Sequence, residues 1–308
     1  MIKKRDLYNF LKLYKPIFGS LHSVKTINIE ATSHCNQKCA FCSTGTEQNP
    51  RTKGTMSFDT FKLLVDQLTE KTELKIAGYG EPFINKELEV CLAYAMKNNH
   101  YVKVFTNLAA VNEKRMKAVM DIGIQQMIIS LDAMDKEAFM KYKQVDQFDR
   151  VIKNLEKLHK IQEKIPKKTE IIVKMVINNY NETTVDEFSQ YIKSLGFTPS
   201  MAKLSVALSE ASDEQVIEFT HTARKNAPEK KEKKYSKNCA HIWGSMIVYW
   251  NGDISVCGQD PDGHHIHGNL HQDDIWKLFN HSKARQKFRE RYYQDPSQND
   301  ICRNCSSA

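Results

Sequence analysis

The sequence has 308 residues, 41% of them apolar and 27% charged, which is enough for one large domain or two ordinary ones. This composition excludes collagen-like and disordered chains, and no apolar run is long enough for a membrane span. Charged residues interrupt the first segment, MIKKRDLYNFLKLYKP, which is therefore not typical of a secretory signal, and we expect a cytoplasmic protein. The net charge is +8, but the basic residues are scattered, which argues against a nucleic-acid-binding face.

Strand-like and helical patterns alternate along the first two thirds of the chain. A short amphipathic helix is predicted within 5–18. Strands are then predicted at 24–32, 73–80, 101–107, 126–132, 170–178 and 199–207. Helices are predicted between them at 57–70, 86–99, 112–123, twice within 135–163, and at 183–196. Six such units predict a parallel sheet of the α/β class, curled into a partial (β/α)6 barrel with ligands at the carboxyl ends of its strands.

The chain divides into four predicted regions. They are an N-terminal helix (1–20), the partial barrel (21–211), a helix with a basic linker (212–237), and a small C-terminal α+β domain (238–308). In the last region, 245–257 predicts a hairpin, and 273–293 predicts a helical stretch. The histidines between them are interpreted as part of a connecting loop with surface or supporting roles: His264, His265, His267 and His271.

Eight cysteines in a reducing compartment favour metal or redox chemistry over disulfides. Three of them, Cys35, Cys39 and Cys42, follow the first strand. Three thiolates suit a [4Fe–4S] cluster that keeps one iron without a protein ligand. On local spacing alone, a zinc site completed by His34 stays open.

The wider pattern resembles the radical S-adenosylmethionine (SAM) superfamily over about residues 20–210. It comprises the three cysteines, Phe41 before the third, GYGEP at 78–82 after the second strand, and the strand–helix order. The resemblance implies that the open iron chelates the amino and carboxylate groups of SAM. Reduction by a flavodoxin- or ferredoxin-like protein would then release a 5′-deoxyadenosyl radical that abstracts hydrogen from a substrate.

The resemblance also implies cofactor-binding residues at the strand ends. Gly78, Tyr79, Gly80 and Glu81 would line the amino-group side, although the family often has glycine where Tyr79 stands, and the backbone of Phe41 would approach the adenine. Two alternatives stay open. GYGEP could be an ordinary turn, and Ser130 and Asp132, at the end of strand four, could cap the following helix. The other candidates are Asn107 after the third strand, and Ser130 and Asp132 near the ribose.

The last four cysteines resemble those of the twitch domain, the short relative of the SPASM domain, over about 238–308. They are Cys239, Cys257, Cys302 and Cys305. The resemblance implies one auxiliary [4Fe–4S] cluster with every iron ligated, suited to passing electrons. Two clusters and SAM are therefore the expected cofactors, and a structural zinc ribbon is the alternative at the C-terminal site. The remaining thiol, Cys91, shares a helical face with apolar residues and is predicted to pack in the core rather than donate hydrogen.

An auxiliary cluster beside a radical site favours oxidation as the net reaction. The layout resembles that of aminocyclitol dehydrogenases such as those acting on 2-deoxy-scyllo-inosamine, which implies a small sugar- or cyclitol-like substrate. Lys203, Glu210 and Arg224 are candidates for the base. The alternative is a peptide-modifying maturase or epimerase, disfavoured because 1–23 is too short for a winged-helix peptide-recognition domain. A third class, a non-enzymatic iron–sulfur scaffold or a zinc-bearing nucleic-acid binder, is disfavoured because neither protein would need the GYGEP motif.

Overall fold

The structure is a computed structural model that describes residues 24–47, 49–166, 168–204, 218–219, 239–303 and 305. The predicted N-terminal helix within 5–18 lies outside these ranges, as does all of the predicted linker except 218–219. Within these ranges, no helix has the length and apolar character needed to cross a membrane.

In the described part of the chain, nine strands form a single sheet in the order β6-β5-β4-β3-β2-β1-β7-β8-β9. The first six strands pair in parallel and each matches a predicted strand, which confirms the α/β strand–helix architecture. The strands are β1 (Thr26–Ile29), β2 (Glu73–Ile76), β3 (Tyr101–Thr106), β4 (Gln126–Ser130), β5 (Glu170–Ile177), β6 (Thr198–Lys203), β7 (Ser245–Val248), β8 (Asp253–Ser255) and β9 (Ile266–Asn269).

The crossover helices cover the sheet and enclose one large apolar core with it. The described helices are α1 (Phe58–Asp66), α2 (Leu88–Lys97), α3 (Glu113–Ile122), α4 (Lys136–Lys143), α5 (Phe148–Glu163), α6 (Val185–Ser194), α7 (Ala240–Gly244), α8 (Ile275–His281), α9 (Lys283–Gln294) and α10 (Asp300–Arg303). Local sequence signals set their ends: Ser57 caps α1 by accepting from the Thr60 amide, and Gly123 ends α3 in the left-handed region. Cys91 is buried on α2 in the core, as predicted.

The C-terminal strands continue the barrel sheet. β7 pairs in parallel with β1, and β8 and β9 follow it in antiparallel order. The predicted hairpin is confirmed, with Gly252 at positive φ in its turn. The loop prediction for the histidine stretch is wrong at His267, which lies on β9, because the backbone there pairs with β8. The predicted helical stretch is split at Ser282, whose side chain caps α9.

Candidate functional site

The three-cysteine loop leaves the carboxyl end of β1 and rests on the end of α4. Lys38 N donates to the Lys143 carbonyl at 3.1 Å, and Ala40 N donates to the Tyr142 carbonyl at 3.0 Å. A tight turn follows, in which Cys42 N donates to the Cys39 carbonyl at 3.1 Å. Helix α4 therefore fixes the loop that carries the thiols.

The thiols of this loop lie close enough to influence one another electrostatically. Partial desolvation raises the pKa of Cys35, which still reaches the surface, to about 11, and that of the half-buried Cys39 to about 12. The neighbouring Cys42 thiol adds to both shifts. Grouped, desolvated thiols are unfavourable as bare thiolates, whereas bound metal keeps them deprotonated. The sulfur donors therefore fit an iron–sulfur cluster.

GYGEP lies directly against this loop. Glu81 N donates to the His34 carbonyl at 2.9 Å, and the Thr44 hydroxyl donates to the Tyr79 carbonyl. A Cβ atom on Gly80 would lie 2.0 Å from the Thr32 carbonyl oxygen, so no side chain fits there. The motif is thus in close backbone contact with the cysteine loop.

The Glu81 carboxylate is buried and bonded entirely within the protein. It accepts from the Thr106 hydroxyl at 2.7 Å, from Asn107 N at 2.7 Å and from Phe83 N at 3.2 Å. Burial raises its pKa, and these donors oppose the rise. Glu81 thereby fixes the end of β3 and places the Asn107 amide 2.9 Å from the Asn36 side-chain oxygen in the cysteine loop.

A buried ion pair lies beside the cysteines at the end of β4. Lys143 Nζ is 2.6 Å from Asp132 Oδ2, with both side chains at most 4% exposed. The other oxygen of Asp132 accepts from Val176 N at 2.7 Å. Burial alone would lower the pKa of Lys143, but Asp132 and Cys39 raise it above its usual value. Sequence reasoning missed Lys143, because a lysine ending an amphipathic helix resembles a surface residue.

The remaining candidates of the barrel lie on other elements or outside the described residues. Ser130 is the half-buried last residue of β4. The ring of Phe41 packs against those of Tyr142 and Phe219, with centroids 6.4 and 5.1 Å away. Lys203 is the last residue of β6, at the carboxyl edge of the sheet. The other two base candidates, Glu210 and Arg224, lie outside the described residues.

The second set of cysteines is brought together from four segments. Cys239 precedes α7, Cys257 follows β8, Cys302 lies in α10 and Cys305 follows it, and all four are buried. Burial raises the pKa of Cys257 and of Cys302 to about 12, and the thiols of Cys239 and Cys305 contribute to both shifts. Four buried sulfur donors with no open position fit a fully ligated cluster.

Two side chains connect the two cysteine sets: Tyr79, which sequence analysis singled out, and Arg51, which it did not. The Tyr79 hydroxyl donates to the carbonyl of Gly258, next to Cys257, at 3.2 Å. Arg51 binds both carboxylate oxygens of Glu30, at 2.8 and 2.9 Å, and donates to the Pro261 carbonyl at 2.7 Å. Burial raises the pKa of Tyr79 far above its usual value, and the thiols Cys257 and Cys42 both add to the rise. Tyr79 therefore lies between the two sets.

Neither set resembles a site for a single ion. In the part of the chain that the structure describes, no three His, Cys, Asp or Glu side chains converge on one metal position. A tetrahedral zinc site needs such convergence, whereas the sulfurs of a cluster bind separate irons. Within the described residues, neither set is therefore a preformed tetrahedral zinc site.

Sequence comparison finds relatives for both parts of the chain. The profile described as "Radical SAM superfamily" matches residues 29–195, and the SPASM profile, "Iron-sulfur cluster-binding domain", matches residues 239–306. The GTP 3′,8-cyclase of Nautilia profundicola is 26% identical over 182 residues, 56% of this chain and 54% of that protein. The S-adenosyl-L-methionine-dependent 2-deoxy-scyllo-inosamine dehydrogenase of Niallia circulans is 29% identical over 121 residues, 37% of this chain and 47% of that protein. The chain thus spans about half the length of these relatives.

Solved structures share the fold across both parts. BtrN in complex with AdoMet (SAM) and 2-DOIA matches with a TM-score of 0.59 and 17% identity, covering 92% of each chain. SuiB of Streptococcus suis bound to the precursor peptide SuiA matches with a TM-score of 0.68 and 14% identity, covering 92% of this chain and 71% of SuiB. Because the superfamily profile covers more than half of the sequence, the chain belongs to the radical SAM superfamily, carries a SPASM domain, and has SAM and [4Fe–4S] clusters as its cofactors.

Proposed function

We propose that this radical SAM enzyme oxidises a hydroxyl-bearing carbon of a small sugar- or cyclitol-like molecule. The observation that carries the proposal is the burial of four thiols in one place beside the barrel, at Cys239, Cys257, Cys302 and Cys305. When bound, SAM at the reduced cluster supplies a 5′-deoxyadenosyl radical for hydrogen abstraction, and the auxiliary cluster supplies an acceptor for the electron left on the substrate.

Different residues of the chain hold the two clusters and SAM. Cys35, Cys39 and Cys42 hold the SAM cluster, and the four C-terminal cysteines hold the auxiliary cluster. Gly78, Tyr79 and Gly80 present backbone to the amino group of SAM, and the Phe41 backbone approaches the adenine. Glu81 and Asn107 act by fixing the end of β3 against the cysteine loop, since the Glu81 carboxylate already has its donors.

Lys143 is the cation we assign to the carboxylate of SAM. It is buried beside Cys39 and held by Asp132. Asp132 has partners on both carboxylate oxygens, so we assign it the task of positioning Lys143. Ser130 remains the candidate for the ribose. The candidates for the base that takes the hydroxyl proton are Lys203, Glu210 and Arg224, of which Lys203 ends β6 at the ligand-binding edge.

The order of the sheet supports separate roles for the barrel (21–211) and the C-terminal domain (238–308). β7 pairs with β1, the strand that leads into the three-cysteine loop. The Tyr79 hydroxyl reaches the backbone beside Cys257. A substrate radical formed at the barrel would thus arise near its electron acceptor. We place the enzyme in the cytoplasm, with a flavodoxin- or ferredoxin-like reductant.

The similarity to a 2-deoxy-scyllo-inosamine dehydrogenase favours a cyclitol-like substrate. The fold of BtrN, solved with 2-DOIA, agrees with this choice. The alternative is a peptide substrate, favoured by the fold shared with SuiB, which was solved with its precursor peptide.

Deuterium transfer distinguishes the two substrate classes. Anaerobically reconstituted protein, dithionite and SAM are incubated with 2-deoxy-scyllo-inosamine and related polyols deuterated at their carbinol carbons. We expect deuterium in 5′-deoxyadenosine from at least one polyol, and none with the Cys35→Ala/Cys39→Ala/Cys42→Ala variant. Transfer only from a perdeuterated peptide library, with none from the polyols, would replace the proposal by the peptide alternative.

A further inference from the structure

Helix α9 carries two buried arginines that have no carboxylate partner in the described part of the chain. Arg285 is 1% exposed and Arg289 is 3% exposed. In the described part of the chain, their guanidinium groups donate hydrogen bonds to backbone carbonyls. Nε of Arg285 and Nη2 of Arg289 are buried without a hydrogen-bond partner. Burying a cation in this way is costly unless a negative charge lies nearby.

The carbonyls that these arginines bind belong to the cysteine-bearing segments. Arg285 donates to Val256, directly before Cys257, at 3.1 Å, and to Ile242 and Ser245 at 3.0 and 2.7 Å. Arg289 donates to Ile242 and to Phe279, both at 3.3 Å. Ile242 lies on α7, which starts directly after Cys239. The pair therefore ties together the backbone next to two of the four thiols.

One of these thiols, Cys257, supplies negative charge to Arg285. Cys257 is the acidic group that acts on Arg285, whose pKa burial and Arg289 lower. The adjacent His267 stays neutral, because burial and the two arginines lower its pKa to about 3. Four thiolates around a [4Fe–4S] core give a net negative charge that grows by one unit on reduction. Nearby buried cations stabilise the reduced form more than the oxidised form, because charges interact strongly where water is excluded.

We infer that Arg285 and Arg289 are positioning residues of the auxiliary cluster that compensate its charge and raise its reduction potential. The inference deepens the proposed role of this cluster as electron acceptor. It rests on the SPASM site and does not depend on the substrate. An unchanged potential would overturn the inference without affecting the substrate proposal, and a peptide substrate would overturn the substrate proposal without affecting the inference.

The test measures a potential in the full-length chain. In the Cys35→Ala/Cys39→Ala/Cys42→Ala background only the auxiliary cluster remains, and its midpoint potential is followed by electron paramagnetic resonance during a redox titration. Three variants are compared in this background: Arg289→Met, Arg289→Lys and Lys287→Met. Lys287 is exposed on the same helix and serves as the matched control, because its loss removes one charge from water-screened surface.

We expect Arg289→Met to shift the potential to more negative values, with Arg289→Lys and Lys287→Met close to the parent. An unchanged potential in Arg289→Met with a full cluster would overturn the inference. If Arg289→Met fails to assemble the cluster, the Arg289→Lys variant tests the inference instead, because it keeps the positive charge. If Arg289→Lys assembles the cluster at the parent potential, charge compensation is supported. If Arg289→Lys also fails to assemble the cluster, the inference is overturned, because the positive charge alone does not replace the guanidinium group.

Discussion

Two buried ion pairs, Lys143–Asp132 and Arg51–Glu30, stand at the carboxyl ends of the barrel strands. In each pair the acid follows a strand and the base lies further along the chain, outside that strand. The sequence could predict Asp132 as a strand-end residue but not its partner, because a lysine or arginine shows its burial only after folding. The cysteines and GYGEP were predictable, since their chemistry depends on short spacings.

The Lys143–Asp132 pair gives a test of the cation assigned to SAM. Lys143→Met should destabilise the protein by about 3–5 kcal/mol, because it leaves the Asp132 carboxylate buried without its cation. It should also weaken SAM binding by about tenfold or more, the loss expected for one charge-assisted hydrogen bond. Urea unfolding and equilibrium dialysis measure the two effects.

The double variant Lys143→Met/Asp132→Asn is the control for this test. Asparagine tolerates the positive φ of Asp132 and can still accept from Val176 N, so much of the stability should return. SAM affinity should stay low. Recovery of SAM affinity together with stability would show that Lys143 serves only the fold.

Gly80 tests whether GYGEP acts through the cysteine loop. Gly80→Ala would place a methyl group against the Thr32 carbonyl, whose backbone would have to move. We expect loss of SAM binding together with a fall in iron content toward about four per chain, as the three-cysteine site fails. Gly244→Ala is the control, because its Cβ would meet only Lys25 side-chain atoms at 3.7 Å or more. Full iron content with lost SAM affinity would instead place the effect on the ligand alone.

At the scale of elements, alternation and turn chemistry predicted the six barrel strands and the hairpin. Strand β9 was missed, since IHGN has little strand propensity and pairs only because β8 offers its edge. The pairing of β7 with β1 joins segments more than 200 residues apart, and local patterns hold no information about it. The break between α8 and α9 depends on one capping serine inside an otherwise helical pattern.

Arg51 joins the end of β1 to the loop after β8, and its removal should make stability depend on pH. Burial raises the pKa of Glu30, and Arg51 opposes that rise. In Arg51→Met the pKa should rise further. A carboxyl whose folded pKa exceeds its unfolded value contributes stability at low pH that is lost as pH rises through the folded pKa. The free energy of unfolding, measured by urea titration, should therefore fall more steeply between pH 5 and pH 8 in Arg51→Met than in the parent, by up to about 1.4 kcal/mol per pH unit.

Adding Glu30→Gln removes the titrating group from this comparison. The double variant should show no more pH dependence than the parent protein. If Arg51→Met alone already behaves like the parent across this range, the Glu30 carboxylate is not held by Arg51 in the folded protein.

At the scale of the whole molecule, one sheet carries both cysteine sets. The three-cysteine loop follows β1, and Cys257 follows β8, with β7 between them. Reconstituted protein should hold about eight irons per chain, and Cys35→Ala/Cys39→Ala/Cys42→Ala should retain about four with no SAM cleavage. Iron analysis by mass spectrometry measures both. Zinc in the C-terminal site after reconstitution with both metals would contradict the electron-acceptor role.

We propose that the net reaction is an oxidation in which the auxiliary cluster is the electron acceptor. The most direct measurement is the mass of the product, together with SAM consumed per product, for the substrate that transfers deuterium to 5′-deoxyadenosine. We expect a product lighter by two hydrogen atoms and one SAM consumed per turnover. Cys91→Ala should keep near-normal activity, because Cys91 is a core residue. A product of unchanged mass that gains solvent deuterium on carbon, with activity lost in Cys91→Ala, would contradict it and indicate epimerisation.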